Sequence, residues 1–192
     1  MGEYISVCGV DEAGRGSLVG EVYCAAVILP ASLVIPGLND SKKLTPKKRT
    51  TLAQQIKEQA LAWSIATASM DEIIEFNILH ATLRAMAKAV EGLSLRPERV
   101  LVDGNKAPKL AMPVETIIKG DLLVPAISAA SILAKVARDK KMVELHAEYP
   151  LYGFDRHKGY LTKAHLEALN IYGPCPEHRI TFSPICKMIA AK

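Results

Sequence analysis

A chain of 192 residues, 49% hydrophobic and 23% charged, is long enough to bury a full core and has the composition of an ordinary globular protein. No apolar run approaches the length of a membrane span, and the N-terminus has no basic segment leading into an apolar one; no membrane-spanning helix is expected, and a cytoplasmic protein is. The net charge of +4 is too small to identify a polyanionic partner, and the four cysteines lack the spacing of a zinc site or a disulfide framework.

Residues 5–10 form a short β-branched run that predicts a strand, and residues 22–29 predict a second. Between them lies Asp11-Glu12-Ala13-Gly14-Arg15-Gly16, two adjacent carboxylates where a strand is expected to run out into a glycine-rich turn. Residues 41–49 then carry five cations. Thr45 and Pro46 have the chemistry of an N-cap and first helical position, predicting a helix over 45–60. Cations at a helix N-terminus oppose the helix dipole, a choice that points to a phosphate nearby.

Residues 62–68 predict a third strand, and Ser69 or Asp71 caps a helical region in which Leu79, Leu83, Met86, Val90 and Leu93 recur at helical spacing, with Gly92 near its end. Residues 99–103 predict a fourth strand closing on Asp103, and residues 114–119 a fifth closing on Gly120-Asp121. A long helix starts at Pro125; its Ala and Ser residues, including Ser128 and Ser131, suit close packing on the sheet, and Lys135, Arg138, Lys140 and Lys141 gather into a basic run that reads either as a solvated helix face or as a contact for a polyanion. Residues 149–154 form an aromatic-rich loop in which Tyr152 and Phe154 are expected to be core. Arg156-His157-Lys158-Gly159-Tyr160 and a helix over 162–169 follow, then an irregular tail and a short helical end.

Open α/β sheets place their sites at strand ends, where loops converge. If the first, fourth and fifth strands are neighbours, Asp11, Glu12, Asp103 and Asp121 meet in one cluster without histidine. All-oxygen ligation of that kind suits Mg2+ or Mn2+ and leaves positions for water and phosphate. Two such ions can hold the attacking and leaving oxygens of an in-line phosphodiester displacement.

The ordered motifs match a known family over nearly the whole chain. Asp11-Glu12-Ala13-Gly14-Arg15-Gly16, Leu38-Asn39-Asp40-Ser41-Lys42-Lys43-Leu44, Val102-Asp103-Gly104-Asn105, Ile118-Lys119-Gly120-Asp121, residues 127–135, His157-Lys158-Gly159-Tyr160, and His178-Arg179 with Phe182 together resemble bacterial ribonuclease HII. The resemblance implies an α/β, ribonuclease H-like fold: a mixed five-stranded sheet, its first three strands antiparallel, with flanking helices. It implies a single catalytic domain over 1–192, made of a core over about 1–148 and a C-terminal helical extension over about 149–192. Asp11, Glu12, Asp103 and Asp121 would be the catalytic, metal-binding acids, with Mg2+ or Mn2+ as cofactor.

The implied activity is metal-dependent cleavage of the RNA strand of RNA–DNA hybrids and of DNA with a single embedded ribonucleotide. The cut falls 5′ of the ribonucleotide and leaves a 3′-hydroxyl and a 5′-phosphate, serving ribonucleotide removal and RNA primer removal. The family pattern assigns recognition of the 2′-hydroxyl to Gly14, Arg15, Gly16 and Tyr160, and phosphate binding to Lys42 and Lys43. Glycine lets backbone groups approach a sugar closely, and the 2′-hydroxyl is what separates RNA from DNA. Leu161 departs from the proline or glycine that members often carry. A monomer is expected. Two other classes remain: a non-catalytic nucleic-acid-binding relative, and a carboxylate-pair hydrolase of a small substrate. Metal-dependent nicking and competition by duplex DNA separate them.

Overall fold

The computed structural model describes residues 6–38 and 44–190. Five strands, β1 (Val7–Ala13), β2 (Val22–Ile28), β3 (Ala62–Ala68), β4 (Arg99–Asp103) and β5 (Val114–Ile117), form one sheet in the order β3-β2-β1-β4-β5. β1 pairs antiparallel with β2 and β2 antiparallel with β3, whereas β1–β4 and β4–β5 are parallel. This is the mixed sheet expected from the sequence. The intervening helices are α1 (Pro46–Gln59), α2 (Met70–Glu91), α3 (Gly120–Leu123), α4 (Pro125–Glu148), α5 (Phe154–His157), α6 (Lys163–Tyr172) and α7 (Ile185–Ala190).

The sheet is covered on both faces, and strand alternation decides which residue meets which cover. Cys8, Val10, Cys24, Ala26, Val100 and Val102 pack with Ile73, Met86 and Val90 of α2. Ala13, Ala25 and Val27 pack with Leu52 and Ile56 of α1 and Ala129, Ile132 and Leu133 of α4. α4 lies very close to β1: a Cβ on Gly9 would sit 2.1 Å from the Ala126 carbonyl carbon and 2.3 Å from the Ile127 nitrogen. A third cluster joins Tyr152, Phe154, Leu169 and Ile185 of the C-terminal segment to Leu18, Val19, Met142 and Leu145.

The local signals account for the helix ends. Thr45 caps α1 by accepting from the Lys48 N–H at 3.4 Å. Ser69 and Glu72 form a reciprocal capping box at the start of α2. α2 is broken at Asn77, which takes φ 63° and accepts from the Leu79 and His80 N–H groups, so its side chain caps the second half.

Four expectations need correction. β1 does not stop at Val10 but runs to Ala13, because β2 continues to pair with it through Asp11↔Ala25, Glu12↔Cys24 and Ala13↔Tyr23. β5 ends at Ile117; Lys119 turns the chain in the left-handed region, and Asp121 belongs to the single turn α3 rather than to a strand end. Arg138 is not on a solvated face: it is fully buried. The aromatic segment, expected as loop, contains a 3-10 turn (Pro150–Tyr152) and α5, and Tyr152 and Phe154 are buried as expected. Cys8, Cys24, Cys175 and Cys186 are free thiols.

Candidate active site

The two sides of β1 end at different levels, and this creates the site. Against β4 the pairing ends at Val10↔Val102, while against β2 it continues for three more residues. Asp11 therefore stands beside Asp103 at the end of the parallel ladder, with its backbone still held. Successive residues of a strand face opposite sides, so Asp11 lies on the α4 side and Glu12 on the α2 side of the sheet end. The three acids line one cleft of about 420 Å³ together with Gly14, Arg15, Gly16, Arg49, Ser131, Lys135 and Tyr160. Asp121 is buried and does not line the cleft; its backbone N–H donates to Asp103 Oδ1 at 3.3 Å. Lys42 and Lys43 lie outside the described residues.

The electrostatics are those of carboxylates crowded and buried at one sheet end. Burial, then the neighbouring Glu12 and Asp103 carboxylates, hold the Asp11 carboxyl well above the ordinary carboxylate range, against a hydrogen bond from Ser131. Glu12 is also raised by burial, an effect opposed by Arg15, whose Nη1 lies 3.0 Å from Glu12 Oε1. Among the described residues no three His, Cys, Asp or Glu side chains close around a point tightly enough to enclose an ion unaided. An open, all-carboxylate edge fits a hard divalent ion that keeps water and substrate oxygens in its shell.

Gly14 shows why this turn needs glycine. Its φ is +96°, and a Cβ there would fall 2.0 Å from Arg138 Nε. The Arg138 guanidinium fills that space, lies 5.1 Å from the Tyr160 ring centroid and donates from Nη2 to the Lys158 carbonyl at 2.8 Å. It thus spaces the glycine turn from the tyrosine. Arg49, Ser131 and Lys135 were not singled out for this cleft from sequence. Arg49 and Lys135 bracket Asp139 at 3.5 and 2.6 Å, so one acid on α4 aligns both cations.

Behind the turn, His165 and His178 are fully buried among Tyr152 and Phe154. Burial and the neighbouring His165 push His178 down to about 4, from an ordinary 6.5. Below about pH 6.5 the unfolded imidazole takes up a proton while the folded one does not until about pH 4. Stability is therefore lost as pH falls through that window, by at most on the order of 3 kcal/mol. Asp11 and Glu12, raised in the folded state, have the opposite slope, so the comparison must be with a variant. Urea unfolding at pH 7 and pH 5 is expected to show a smaller acid-side loss in His178→Gln than in the unsubstituted protein; equal losses would contradict a neutral, buried His178.

Comparison with known proteins agrees with this fold. The family model described as Ribonuclease HII matches residues 8–184. A ribonuclease HII of Bordetella avium is 64% identical over 179 residues, covering 93% of this chain and 89% of that protein. The crystal structure of the ribonuclease H2 from Pyrococcus horikoshii superposes with a TM-score of 0.82 at 26% identity, covering 97% of this chain and 98% of that one. The structure of Bst ribonuclease HIII in complex with Mn2+ shares the fold, with a TM-score of 0.71 at 17% identity over 97% of this chain and 70% of that one.

Proposed function

Since the chain belongs to the ribonuclease HII family and is thereby a ribonuclease H hydrolase, we propose that it cleaves RNA–DNA hybrids, and DNA duplexes with a single embedded ribonucleotide, in a divalent-metal-dependent reaction. It does so as a cytoplasmic monomer, for ribonucleotide and RNA primer removal. The cut falls on the 5′ side of the ribonucleotide. The observation that carries this reading is the convergence of Asp11, Glu12 and Asp103 with the Gly14–Gly16 turn and Tyr160 on one cleft.

Asp11, Glu12 and Asp103, with Asp121 at the periphery, would hold Mg2+ or Mn2+. The Mn2+ complex of Bst ribonuclease HIII supports this choice of ion for the fold. When bound, the ions supply charge neutralisation at the attacking and leaving oxygens of an in-line displacement. The chain's own residues do the selecting. The backbone of Gly14-Arg15-Gly16 and the Tyr160 hydroxyl contact the ribonucleotide 2′-hydroxyl, while Arg49 and Lys135, and from the sequence Lys42 and Lys43, hold phosphates. Water is the nucleophile: it attacks phosphorus, the bond to O3′ of the preceding nucleotide breaks, and a 3′-hydroxyl and a 5′-phosphate result. The ribonucleotide's 2′-hydroxyl lies across its own sugar from the attacked phosphate and is recognised rather than consumed.

The test is to incubate the protein with a duplex containing one ribonucleotide, with Mg2+ or with chelator, and to map the cut. Cleavage 5′ of the ribonucleotide, only with metal and not in an all-DNA duplex, is expected. Cleavage without metal, or at other positions, would overturn the reading.

A further inference from the structure

The pair His178-Arg179 lies in the C-terminal segment, far in sequence from the acids, yet both side chains are fully buried beneath the cleft. Their backbone is zipped to the end of the glycine turn: Val19 bridges His178, the Gly20 N–H donates to the Glu177 carbonyl at 2.9 Å and the Arg179 N–H to the Leu18 carbonyl at 2.8 Å. The Arg179 guanidinium then donates to four carbonyls of one loop. Nη2 reaches Gly14 at 2.9 Å, Nη1 reaches Arg15 at 2.9 Å and Ser17 at 2.7 Å, and Nε reaches Gly20 at 2.8 Å. In a trans peptide the carbonyl and the following N–H point in opposite directions. Fixing the Gly14 and Arg15 carbonyls toward Arg179 therefore turns the Arg15 and Gly16 N–H groups the other way, and Gly14, Arg15 and Gly16 line the cleft. Two successive amides aimed outward make a concavity for an oxygen ligand.

His178 acts on the other wall. The Cys175 N–H can only donate, so at 3.0 Å from His178 Nδ1 it makes that nitrogen an acceptor. The proton of His178 is then on Nε2, which faces His165 Nε2 at 3.0 Å and donates to it. His165 in turn carries its proton on Nδ1 and donates to the Tyr160 carbonyl at 3.0 Å. A main-chain amide at Cys175 thereby sets both tautomers and ends on the backbone of Tyr160. The His157 ring, stacked on His165 at 4.4 Å between centroids, donates from Nε2 to the Tyr152 carbonyl at 2.7 Å and accepts from the Gly159 N–H at 3.2 Å. The two walls are tied by the Leu18 N–H, which donates to the Gly159 carbonyl at 2.9 Å.

We infer that His178-Arg179 is a positioning element that sets the direction of the turn amides and their spacing from Tyr160, and thereby the discrimination of ribose from deoxyribose. This rests on the proposed reading of the 2′-hydroxyl by the turn and Tyr160. Arg179 and His178 touch no substrate; each acts through backbone groups that do. A lysine at 179 presents three donors at one point and cannot span four carbonyls. At 178, glutamine places an N–H donor near the position of Nε2 and keeps the bond to His165, whereas asparagine places its oxygen near Nδ1 and loses that bond.

The experiment measures kcat and KM on a one-ribonucleotide duplex, affinity for and cleavage of an all-DNA duplex, and Tm, for the unsubstituted protein and for Arg179→Lys, His178→Asn, His178→Gln and Tyr160→Phe. Arg179→Lys and His178→Asn are expected to lower kcat/KM by about 10- to 100-fold, mainly in kcat, as a misplacement of a substrate-positioning group of order 1 Å does. Affinity for all-DNA duplex should stay within about twofold, because phosphate contacts are untouched. His178→Gln should remain within a few-fold of the unsubstituted protein even if its Tm drops as far as that of His178→Asn. Equal activity of the asparagine and glutamine variants at equal Tm would overturn the positioning role of His178, and unchanged kcat/KM in a folded Arg179→Lys would overturn that of Arg179. If Arg179→Lys does not fold, the asparagine and glutamine pair decides alone. Should Tyr160→Phe cleave like the unsubstituted protein while Arg179→Lys and His178→Asn are impaired, the tyrosine half of the sugar reading fails and the effect belongs to the turn. Should the unsubstituted protein cleave all-DNA duplex equally well, the sugar reading and this inference fall together.

Discussion

Asp11→Asn and Asp103→Asn are each expected to lower cleavage of a ribonucleotide-containing duplex by on the order of 10²- to 10³-fold at saturating Mg2+, the scale seen when one preorganised electrostatic group is removed. The same substitutions should leave the fold intact and raise stability without metal by about 1 kcal/mol. The reason is that Asp11 is raised by burial and by its two carboxylate neighbours, so neutralising one acid relieves repulsion while deleting a candidate ligand. Asp121→Asn should be milder, because Asp121 does not line the cleft and its N–H, which reaches Asp103, survives the substitution. Initial rates over a Mg2+ titration, with thermal melts in chelator, measure both halves. Full activity of Asp103→Asn at saturating Mg2+ would sink the acid cluster as the reacting centre.

Gly9→Ala is expected to destabilise the fold by about 3 kcal/mol or more, toward the upper end of overpacking effects. The new methyl would meet main-chain atoms, Ala126 C and O and Ile127 N, all within 2.5 Å. Backbone in a helix cannot swing aside as a flexible side chain does, so α4 must shift as a body and carry Ser131 away from Asp11. Gly16→Ala serves as the stability control, since a Cβ there meets nothing within 4 Å. Urea unfolding of both variants gives the comparison. Similar midpoints would mean that the close approach of α4 to β1 is not needed for the fold.

The strands and helices that carry strong local patterns were legible in the sequence. β3 and β4 have the bounds expected, and Thr45 and Ser69 cap helices by chemistry that can be read from two or three residues. What failed was whatever a distant partner decides. Asp11 and Glu12 look like the start of a turn because acids suit strands poorly, yet β2 holds them in register as strand. Arg138 sits in a run of cations that suggests a wet helix face, and only the approach of Gly14 and Tyr160 makes its position a buried one. The cleft side was partly legible: the acids and the turn were found as motifs, whereas Ser131 and Lys135 were hidden in a helix read as packing, and Arg49 in a charge run. Arg179 offered no local signal beyond its place in a motif, since its four acceptors lie about 160 residues away.

That separation has a consequence for the order in which the protein comes off the ribosome. The four acids are all present once residue 121 has been added, but the guanidinium that fixes the glycine turn arrives roughly sixty residues later. At ordinary elongation rates this is a delay of several seconds, during which the sheet can form as a nascent unit. In that interval the growing chain carries the carboxylates without the clamp on their neighbouring loop. Completion of the site thus waits until residue 179 has been added, and on the proposed reading a chain stalled or ended between residues 121 and 179 would have its acids but no ordered means of telling ribose from deoxyribose.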